Sequence, residues 1–293
     1  MANLKEIRSR ITSVNSTMQI TSAMKMVSAA KLKRAQDAIT KMRPYAHKLQ
    51  EILSNVSSTL DSSEGVYSEK REVKNVLIVA ITSNRGLCGA FNNNIIKRVK
   101  LLTEDYEGSN VTILSIGKKA DDAFKKTAWN IKGSGFPKDL NSIYERLTFE
   151  NTAAIAEVLM QKFVEKYIDE VVLVYNGFKN AASQNLEVEQ FLPILPPKTS
   201  EEDKHSGVDY IFEPSKKEIV EELIPKSLKL QLFKALLDSH AAEHGARMTA
   251  MHQATDNATD LLHDLRLTYN KARQAAITNE ILEIVSGAEA LDN

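Results

Sequence analysis

The residues best suited to chemistry lie in two short motifs. The first is HAAEH, in which His240, Glu243 and His244 have the spacing of an inverted zinc-peptidase motif. A helix would place the two histidines on one face, where they could share a metal ion. Both histidines also fall on a continuous heptad pattern, and a zinc site would require the packed helices to open there. We therefore expect no metal at this position.

The second motif is the segment SNRGLCGAFN at residues 83–92, between a predicted strand and a predicted helix. Backbone N–H groups at the start of a helix can bind phosphate. Gly86 and Gly89 do not form the dinucleotide-binding pattern GxGxxG, however, and the chain contains no GKS or GKT. Cys88 lacks a candidate base, since its nearest histidine in the sequence is His47. We expect no nucleotide or other cofactor here, and no catalytic cysteine.

The composition is that of a folded protein of 293 residues, 43% hydrophobic and 26% charged. Only 6% of the residues are aromatic, so the apolar residues are mostly aliphatic, which favours helices. The single cysteine excludes an internal disulfide and a cysteine-based metal site. The longest uninterrupted apolar run, residues 76–81, is too short to span a bilayer. These features favour a reducing compartment such as the cytosol.

The net charge is zero, but the N-terminal part of the chain is strongly basic. Residues 1–48 contain ten Lys and Arg against two acidic residues, a net charge of +8. Such a segment suits an acidic partner, which could be nucleic acid, a lipid surface or an acidic protein. No aromatic residue that could stack on bases precedes Tyr45, and no zinc-finger or helix-turn-helix spacing is present. We therefore expect no nucleic-acid partner.

Apolar residues recur at alternating steps of three and four along residues 1–60, which predicts a long coiled-coil helix. At 1.5 Å per residue this helix would be roughly 85 Å long, and Pro44 is expected to bend it. Three of its seam positions, Thr21, Lys25 and Ser28, are not apolar. The full seam is Leu4, Ile7, Ile11, Val14, Met18, Thr21, Lys25, Ser28, Leu32, Ala35, Ile39, Met42, Ala46, Leu49, Leu53, Val56 and Leu60.

The last third of the chain repeats this pattern and predicts a second coiled-coil helix in residues 213–293. Pro225 suits an early helical position, and Gly287 suits a C-terminal cap. Two long heptad helices at opposite ends of one chain favour an antiparallel pair. The second seam is Leu230, Phe233, Leu237, His240, His244, Met248, Met251, Thr255, Ala258, Leu262, Leu265, Tyr269, Ala272 and Ala276.

The middle of the chain, residues 75–212, has the pattern of a separate α/β domain. Strands are predicted at 75–83, 110–115 and 170–176, with edge strands at 186–191 and 208–212; helices are predicted at 87–102, 118–127 and 152–166. Strands that alternate with helices indicate βαβ units. The predicted fold class is therefore α/β: a long antiparallel coiled coil of the terminal helices plus a Rossmann-like, mostly parallel sheet domain.

Three segments of the chain closely resemble the gamma subunit of the F-type ATP synthase, its central rotor. Residues 4–36, LKEIRSRITSVNSTMQITSAMKMVSAAKLKRAQ, are similar to the N-terminal helix of that family. Residues 81–92, ITSNRGLCGAFN, resemble its TSDRGLCGG-type turn. Residues 243–291 resemble its C-terminal signature, from EHGARM to SGAEAL. The likeness covers both ends, the middle architecture and the full length.

The resemblance implies a function. The paired terminal helices would enter a ring of alternating alpha and beta subunits, while the α/β domain meets the epsilon subunit and the membrane-embedded c-ring. Proton flow would turn the c-ring and this chain together, driving ATP synthesis in the beta subunits or being driven by hydrolysis there. Catalytic residues and bound nucleotides belong to those other subunits, so the chain would have no catalytic site of its own. This chain would contact the membrane only through the rest of the complex, which would lie at the cytoplasmic face of a bacterial inner membrane.

The resemblance also implies residues that contact the ring: Met24, Lys25, Met26, Arg247, Arg273 and Gln274. On residue types alone, Met24 and Met26 could equally be packing residues, and Arg273 could lie on a solvated helix face. The chain also departs from some members. A single cysteine cannot form the redox-active pair of chloroplast members, and the start lacks the Arg-rich transit segment of mitochondrial ones. Asn84 stands where many relatives have aspartate.

Two other classes of function are compatible with the residues alone. One is a nucleotide-dependent enzyme with helical arms. The other is a basic coiled-coil scaffold, which would either carry a nucleotide-binding α/β domain or bind nucleic acid through its basic helix. Nucleotide titration would separate the first from a rotor, and the salt dependence of DNA binding would reveal a nucleic-acid scaffold.

Overall fold

The computed structural model of the chain describes residues 4–57, 66–69, 71–131, 135–137, 140–194 and 216–291. These residues form two compact units, which are described separately below. The first unit comprises residues 1–28 and 247–293, and the second comprises residues 29–246. The predicted strand at 208–212 and the seam position Leu60 lie outside the described residues.

The elements alternate between strands and helices in the middle of the chain and are long helices at its two ends. In chain order they are α1 (Leu4–Ser57), β1 (Asn75–Ile81), α2 (Phe91–Asp105), β2 (Asn110–Ile116), α3 (Lys118–Phe124), a 3-10 helix (Leu140–Glu145), α4 (Phe149–Val164), β3 (Glu170–Phe178), β4 (Gln184–Leu192) and α5 (Lys216–Leu291).

The second unit is built on a four-stranded sheet with the order β2-β1-β3-β4. The first three strands are parallel, with Ile78 of β1 opposite Ile113 of β2 and Val172 of β3. β4 runs antiparallel to β3, to which it is joined by a short hairpin, with Val188 opposite Val174. The central strand β1 is buried along nearly its whole length, as its uninterrupted apolar run predicts.

Helices cover both faces of this sheet. On one face, α4 and the 3-10 helix pack over the sheet with buried residues such as Leu159, Phe163 and Leu140. On the other face, α2 and α3 pack with Phe91, Ile95 and Phe124. This two-sided burial confirms the predicted α/β class with a mostly parallel sheet.

The sheet domain is not separate from the C-terminal helix, in contrast to the sequence expectation. Leu228, Leu232 and Leu236 of α5 are buried in the core that α4 covers, and Ala242 belongs to the core that α2 covers. The heptad pattern did not reveal this, because a helix with apolar residues on more than one side can pack against a sheet and a helix at once.

In the first unit, α1 and α5 run antiparallel and touch through their predicted seams. The Thr21 and Thr255 hydroxyl oxygens lie 2.9 Å apart, and the Thr259 hydroxyl donates to the Met18 sulfur at 3.5 Å. Seam residues along both helices are buried, namely Ile7, Thr21 and Ser28 of α1 and Met251, Ala258 and Leu262 of α5. The predicted antiparallel pairing of the two termini is therefore confirmed for this unit.

Within the second unit, α1 keeps the same seam. Leu32, Ala35, Ile39 and Leu49 are buried there at heptad positions. The helix continues through Pro44, which lies inside α1.

Several helix boundaries differ from the sequence expectation: α2 and α3 end at Asp105 and Phe124, not at residues 102 and 127, and α4 is Phe149–Val164, not residues 152–166. Three further differences concern the start of α2 and the two ends of α5. α2 begins at Phe91 and not at residue 87, because Leu87 and Gly89 have left-handed φ angles of 61° and 59° that a right-handed helix excludes. α5 begins at Lys216, so Pro225 lies inside it and not at its first turn. The same helix runs to Leu291, so Gly287 is an interior residue and not the expected cap.

Candidate functional site

The six residues expected to contact the ring all lie in the first unit, in two groups on α1 and α5. Met26 is 65% exposed, whereas Met24 and Lys25 are half-buried. Two further apolar residues of α1, Ile20 and Val27, are also exposed. Because Ile20, Met24 and Val27 recur at steps of four and three, they lie on one face of the helix and form an apolar strip beside the seam.

Arg247 differs from the other members of the set because it is only 6% exposed. An arginine that grips a partner must present its guanidinium at the surface, and this one is enclosed within its own chain. In the chain alone, Arg247 therefore offers little surface to a partner.

Arg273 and Gln274 are exposed on the distal part of α5. They lie 26 and 27 residues beyond Arg247, which is about 40 Å along a helix that rises 1.5 Å per residue. The pairing of Thr21 with Thr255 sets the register of the two helices. In that register, Leu4 of α1 is level with a point just before Arg273. Arg273 and Gln274 therefore lie at the level of Leu4, where the described part of α1 starts, and the rest of α5 continues beyond that level.

A stripe of apolar residues on this last part of α5 was not identified from the sequence. We call it the distal stripe: Ile277, Ile281, Leu282, Ile284 and Val285, all about half exposed or more. The predicted seam of α5 ends at Ala276, and these residues lie beyond it. Counting from the antiparallel register would have revealed the stripe, because no residue from 4 onward on α1 can reach that far. Exposed apolar residues this closely grouped mark a surface for a partner.

The turn at residues 83–92 is filled by its own side chains. Ser83 donates from its hydroxyl to the Arg85 carbonyl at 2.7 Å, and its backbone N–H donates to the Asn92 amide oxygen at 3.0 Å. The Asn92 amide nitrogen lies 3.1 Å from the Cys88 sulfur, which is buried. This network fixes the left-handed turn that leads into α2, and it gives Cys88 a packing role.

Asn84 uses both ends of its amide in this region. Its oxygen accepts from the Lys118 N–H at the start of α3, and its nitrogen donates to the Asn141 carbonyl at 2.6 Å. An aspartate could make the first contact but could not donate the second. The asparagine therefore serves to join α3 to the 3-10 helix.

His240 and His244 face each other on α5, with their Nε2 atoms 3.1 Å apart. The His240 ring also stacks on Tyr144, with ring centroids 5.8 Å apart. Burial raises the pKa of Tyr144, with the charge of Glu243 adding to the effect. The described residues contain no group of three or more His, Cys, Asp or Glu side chains placed to hold a metal ion.

Across the described ranges, none of the helices combines the length and apolarity that a membrane crossing needs.

Comparison with known proteins shows to which family this chain belongs. The family model for ATP synthase matches residues 3–291. The ATP synthase gamma chain of Flavobacterium johnsoniae is 64% identical over 293 residues, which covers the whole of both chains. The chain belongs to the ATP synthase gamma chain family. The gamma chains of Christiangramia forsetii and Cytophaga hutchinsonii, 65% and 53% identical, also match over their full lengths.

Solved structures agree with the membership of the gamma chain family. A chain of the Tetrahymena thermophila mitochondrial ATP synthase, from a structure of its central stalk and c-ring, is 27% identical with a TM-score of 0.56; the match covers 80% of this chain and 99% of that one. A chain of the Euglena gracilis mitochondrial ATP synthase has the same fold, with a TM-score of 0.64 at 24% identity, over 98% of this chain and 94% of that one. The resemblance inferred from sequence is confirmed, and the chain is a central-stalk gamma subunit of an F-type ATP synthase.

Proposed function

We propose that the first unit is the part of this gamma chain that turns inside a ring of alternating alpha and beta subunits. The observation that carries this proposal is the distal stripe, in which five large apolar side chains are exposed at the end of one helix. Leaving such residues in water is unfavourable, at roughly 25 cal/mol for each Å² of apolar surface, so the stripe favours a surrounding apolar partner.

The apolar strip on α1 supports the same arrangement. Its members Ile20 and Val27 are exposed, and the neighbouring Met26 adds further exposed apolar surface on this helix. On each of the two helices, the apolar surface is therefore wider than the other helix can cover. The ring would cover the apolar residues that remain exposed.

The coupling contacts are assigned to the two exposed groups. Arg273 and Gln274 would bind polar groups of the ring, since a guanidinium can hold a carboxylate at two points and an amide can donate another hydrogen bond. Met24, Lys25 and Met26 would form a second contact through their exposed atoms. Because Arg247 is buried, its contribution would be to hold the helix pair in shape.

The sheet domain would lie outside the ring, where it meets the epsilon subunit and the c-ring. Proton flow through the c-ring would turn the whole chain, and the turning stalk would push the beta subunits through states of different nucleotide affinity. In this account the chain has no catalytic site and binds no cofactor, because the chemistry takes place in the beta subunits. The complex would be attached to the cytoplasmic face of the bacterial inner membrane.

Purification of the native complex tests this function. A tag on the beta subunit should recover this chain at one copy for every three beta subunits, together with the alpha, epsilon and c subunits. The proposal would be wrong if the chain were missing from a complex that still couples ATP hydrolysis to proton pumping.

A further inference from the structure

A cavity of about 360 Å³ lies in the second unit, at the amino end of its parallel strands. Asn75 and Asn110, the first residues of β1 and β2, line it together with Thr112 of β2. Phe136, from the segment after α3, and Tyr167, from the turn between α4 and β3, complete the wall. The volume falls within the range of small-molecule sites, about 300–1,000 Å³. The turn at residues 83–92 follows the other end of β1, so the two places are distinct.

The alternation of side chains along the strands explains why polar groups meet in this cavity. On β2, Asn110 and Thr112 share a face with Leu114, which is buried in the core that α4 covers. On β1, Asn75 shares a face with Leu77, which belongs to the same core and also lines the cavity. The inner wall of the cavity is therefore apolar, and its outer end carries amide and hydroxyl groups.

These polar groups keep hydrogen-bonding capacity for a ligand. The Asn110 amide nitrogen donates to the Asn75 amide oxygen at 3.2 Å, and the Asn130 amide nitrogen donates to the Lys125 carbonyl at 3.1 Å. Among the described residues, no hydrogen bond uses the Asn75 amide nitrogen, the amide oxygens of Asn110 and Asn130, or the Thr112 hydroxyl. The cavity therefore offers both donors and acceptors, all of them uncharged.

The charges around the cavity are balanced. Lys166 is the one charged side chain among the described residues that line it, and its ammonium lies 3.7 Å from the Glu69 carboxylate. The nearby Asp169 carboxylate accepts from two backbone N–H groups and pairs with the Arg71 guanidinium at 3.3 Å. Phosphate and carboxylate ligands gain most from charged donors, and here each charge already has its opposite. A neutral ligand is therefore favoured.

A flat apolar surface lies beside the uncharged polar groups. The rings of Phe136 and Tyr167 are in contact, with centroids 6.2 Å apart. Phe136 is buried, and Tyr167 is exposed at the rim of the cavity. Nucleobases combine a flat ring, which packs on aromatic and aliphatic side chains, with an edge on which a donor and an acceptor are neighbours. Asparagine amides match such an edge.

We propose that this cavity binds an uncharged nucleobase, either free or as a nucleoside. The ring would pack against Phe136 and Ile131, and its polar edge would bond to Asn75, Asn110 and Thr112. The ribose of a nucleoside would extend past Tyr167 towards solvent, so phosphate groups would add little affinity. The site contains no catalytic group, and the proposal is independent of the function of the chain as a rotor.

Titration of the full-length chain with adenosine and with guanosine tests the proposal. Trp129 is the single tryptophan of the chain and directly precedes Asn130, so its fluorescence should change as the site fills. Equilibrium dialysis with the radiolabelled nucleosides gives the stoichiometry. We expect at least one of them to bind once per chain with a Kd near 0.1 mM, roughly what a molecule of this size gains at ordinary ligand efficiency. AMP should bind within about threefold of adenosine.

Two variants locate the site and test its neutrality. Thr112→Val removes a hydroxyl that has no partner in the chain and should weaken binding about three- to tenfold. Ser115→Ala, which removes a hydroxyl from the opposite face of the same strand, is the matched control and should leave the Kd within about twofold. Lys166→Gln should also leave it within about twofold, because a neutral ligand does not need the ammonium.

The proposal would be overturned if neither nucleoside bound at about 1 mM, or if Thr112→Val left the Kd unchanged. Binding of AMP more than about tenfold tighter than that of adenosine, or a similar loss in Lys166→Gln, would show an anion site in place of a neutral one. Urea unfolding checks that each variant folds. If Thr112→Val does not, Asn110→Ala at the exposed start of β2 is judged by the same criterion.

Discussion

The hydroxyl oxygens of Thr21 and Thr255 lie 2.9 Å apart in the seam between α1 and α5. Each hydroxyl also lies near a carbonyl of its own helix, Met18 for Thr21 and Met251 for Thr255. A polar pair within an apolar seam fixes the alignment of two helices, because sliding either helix would bury a hydroxyl against apolar side chains. The register that places Arg273 near the described start of α1 depends on this pair.

We predict that the two threonines are energetically coupled. Thr21→Val and Thr255→Val should each lower the free energy of unfolding by about 1 kcal/mol, because each leaves the other hydroxyl without its cross-helix partner. The double variant should cost less than the sum of the single ones, since no unpaired hydroxyl remains. Urea unfolding of the full chain measures the free energies of the two single variants and the double variant, which together form a double-mutant cycle. Thr17→Val, at an exposed position, is the control. Strictly additive losses would show that the contact contributes nothing.

We predict that Gly117 is intolerant of a side chain. Its φ is +104°, and a Cβ there would stand 2.1 Å from the Thr82 carbonyl oxygen. Gly117→Ala must therefore push α3 away from β1 and should cost at least about 4 kcal/mol. Gly108→Ala is the control, because φ is +99° there but the space is open, so strain alone should cost about 1–2 kcal/mol. Equal losses in the two variants, by urea unfolding, would refute the steric explanation.

We predict that Asp238 makes stability fall with rising pH. Burial raises the pKa of Asp238 to about 6; Lys234 and Arg43 partly offset this, and Glu189 and Glu187 add to it. The folded state therefore holds the proton more tightly than the unfolded chain, whose aspartate has a pKa near 4. The contribution of this group to stability is greatest below pH 4 and is lost as the pH rises to 6.

Asp238→Asn should remove this dependence. At pH 7.5 the variant should be more stable than the parent chain by about 2 kcal/mol, and the advantage should disappear below pH 4. Urea unfolding from pH 4 to 7.5 measures the difference, with Asp264→Asn on an exposed part of the same helix as control. A variant that is less stable than its parent at pH 7.5 would contradict the prediction.

We predict that Arg273 acts in coupling. Arg273→Glu reverses the charge at an exposed position and should leave the complex assembled while slowing ATP turnover and proton pumping together. A desolvated arginine contact of this kind is worth roughly 2–5 kcal/mol when one partner is removed. Lys271→Glu is the matched control, because residue 271 lies about 200° around the helix. Normal activity of the Arg273 variant in membrane vesicles, with subunit content checked by gel, would remove this residue from the coupling path.

Much of the fold follows from the sequence because its signals are periodic. The heptad pattern placed Thr21 and Thr255 on the seams of the two helices, and both lie at the contact between them. The apolar run at 76–81 predicted a buried strand, which is β1. Local backbone geometry was harder to predict. Leu87 has a left-handed φ angle that a leucine does not lead one to expect, and α2 therefore starts later than its sequence pattern predicts. The burial of Leu232 in the sheet core also escaped prediction, because one apolar helix position does not reveal which of two neighbours it meets.

The candidate site was less predictable than the fold, for a physical reason. Contacts to a partner lie on surfaces that look unpartnered in the chain alone, and exposed Met26 or Arg273 is typical of many solvated helices. The resemblance supplied these residues, and their roles remain a proposal. The distal stripe, by contrast, follows from the structure, because the register shows that α5 continues past the described start of α1.

Rotation of this chain against the ring tests the central claim most directly. A probe attached at Lys126→Cys, on an exposed part of the sheet domain and in a Cys88→Ser background, would be followed while the beta subunits are fixed to a surface. With ATP we predict rotation in one direction, with three equally spaced pauses in each turn, one for each beta subunit. A probe that stays in place or only fluctuates about a fixed angle, while the same complexes hydrolyse ATP, would contradict the account.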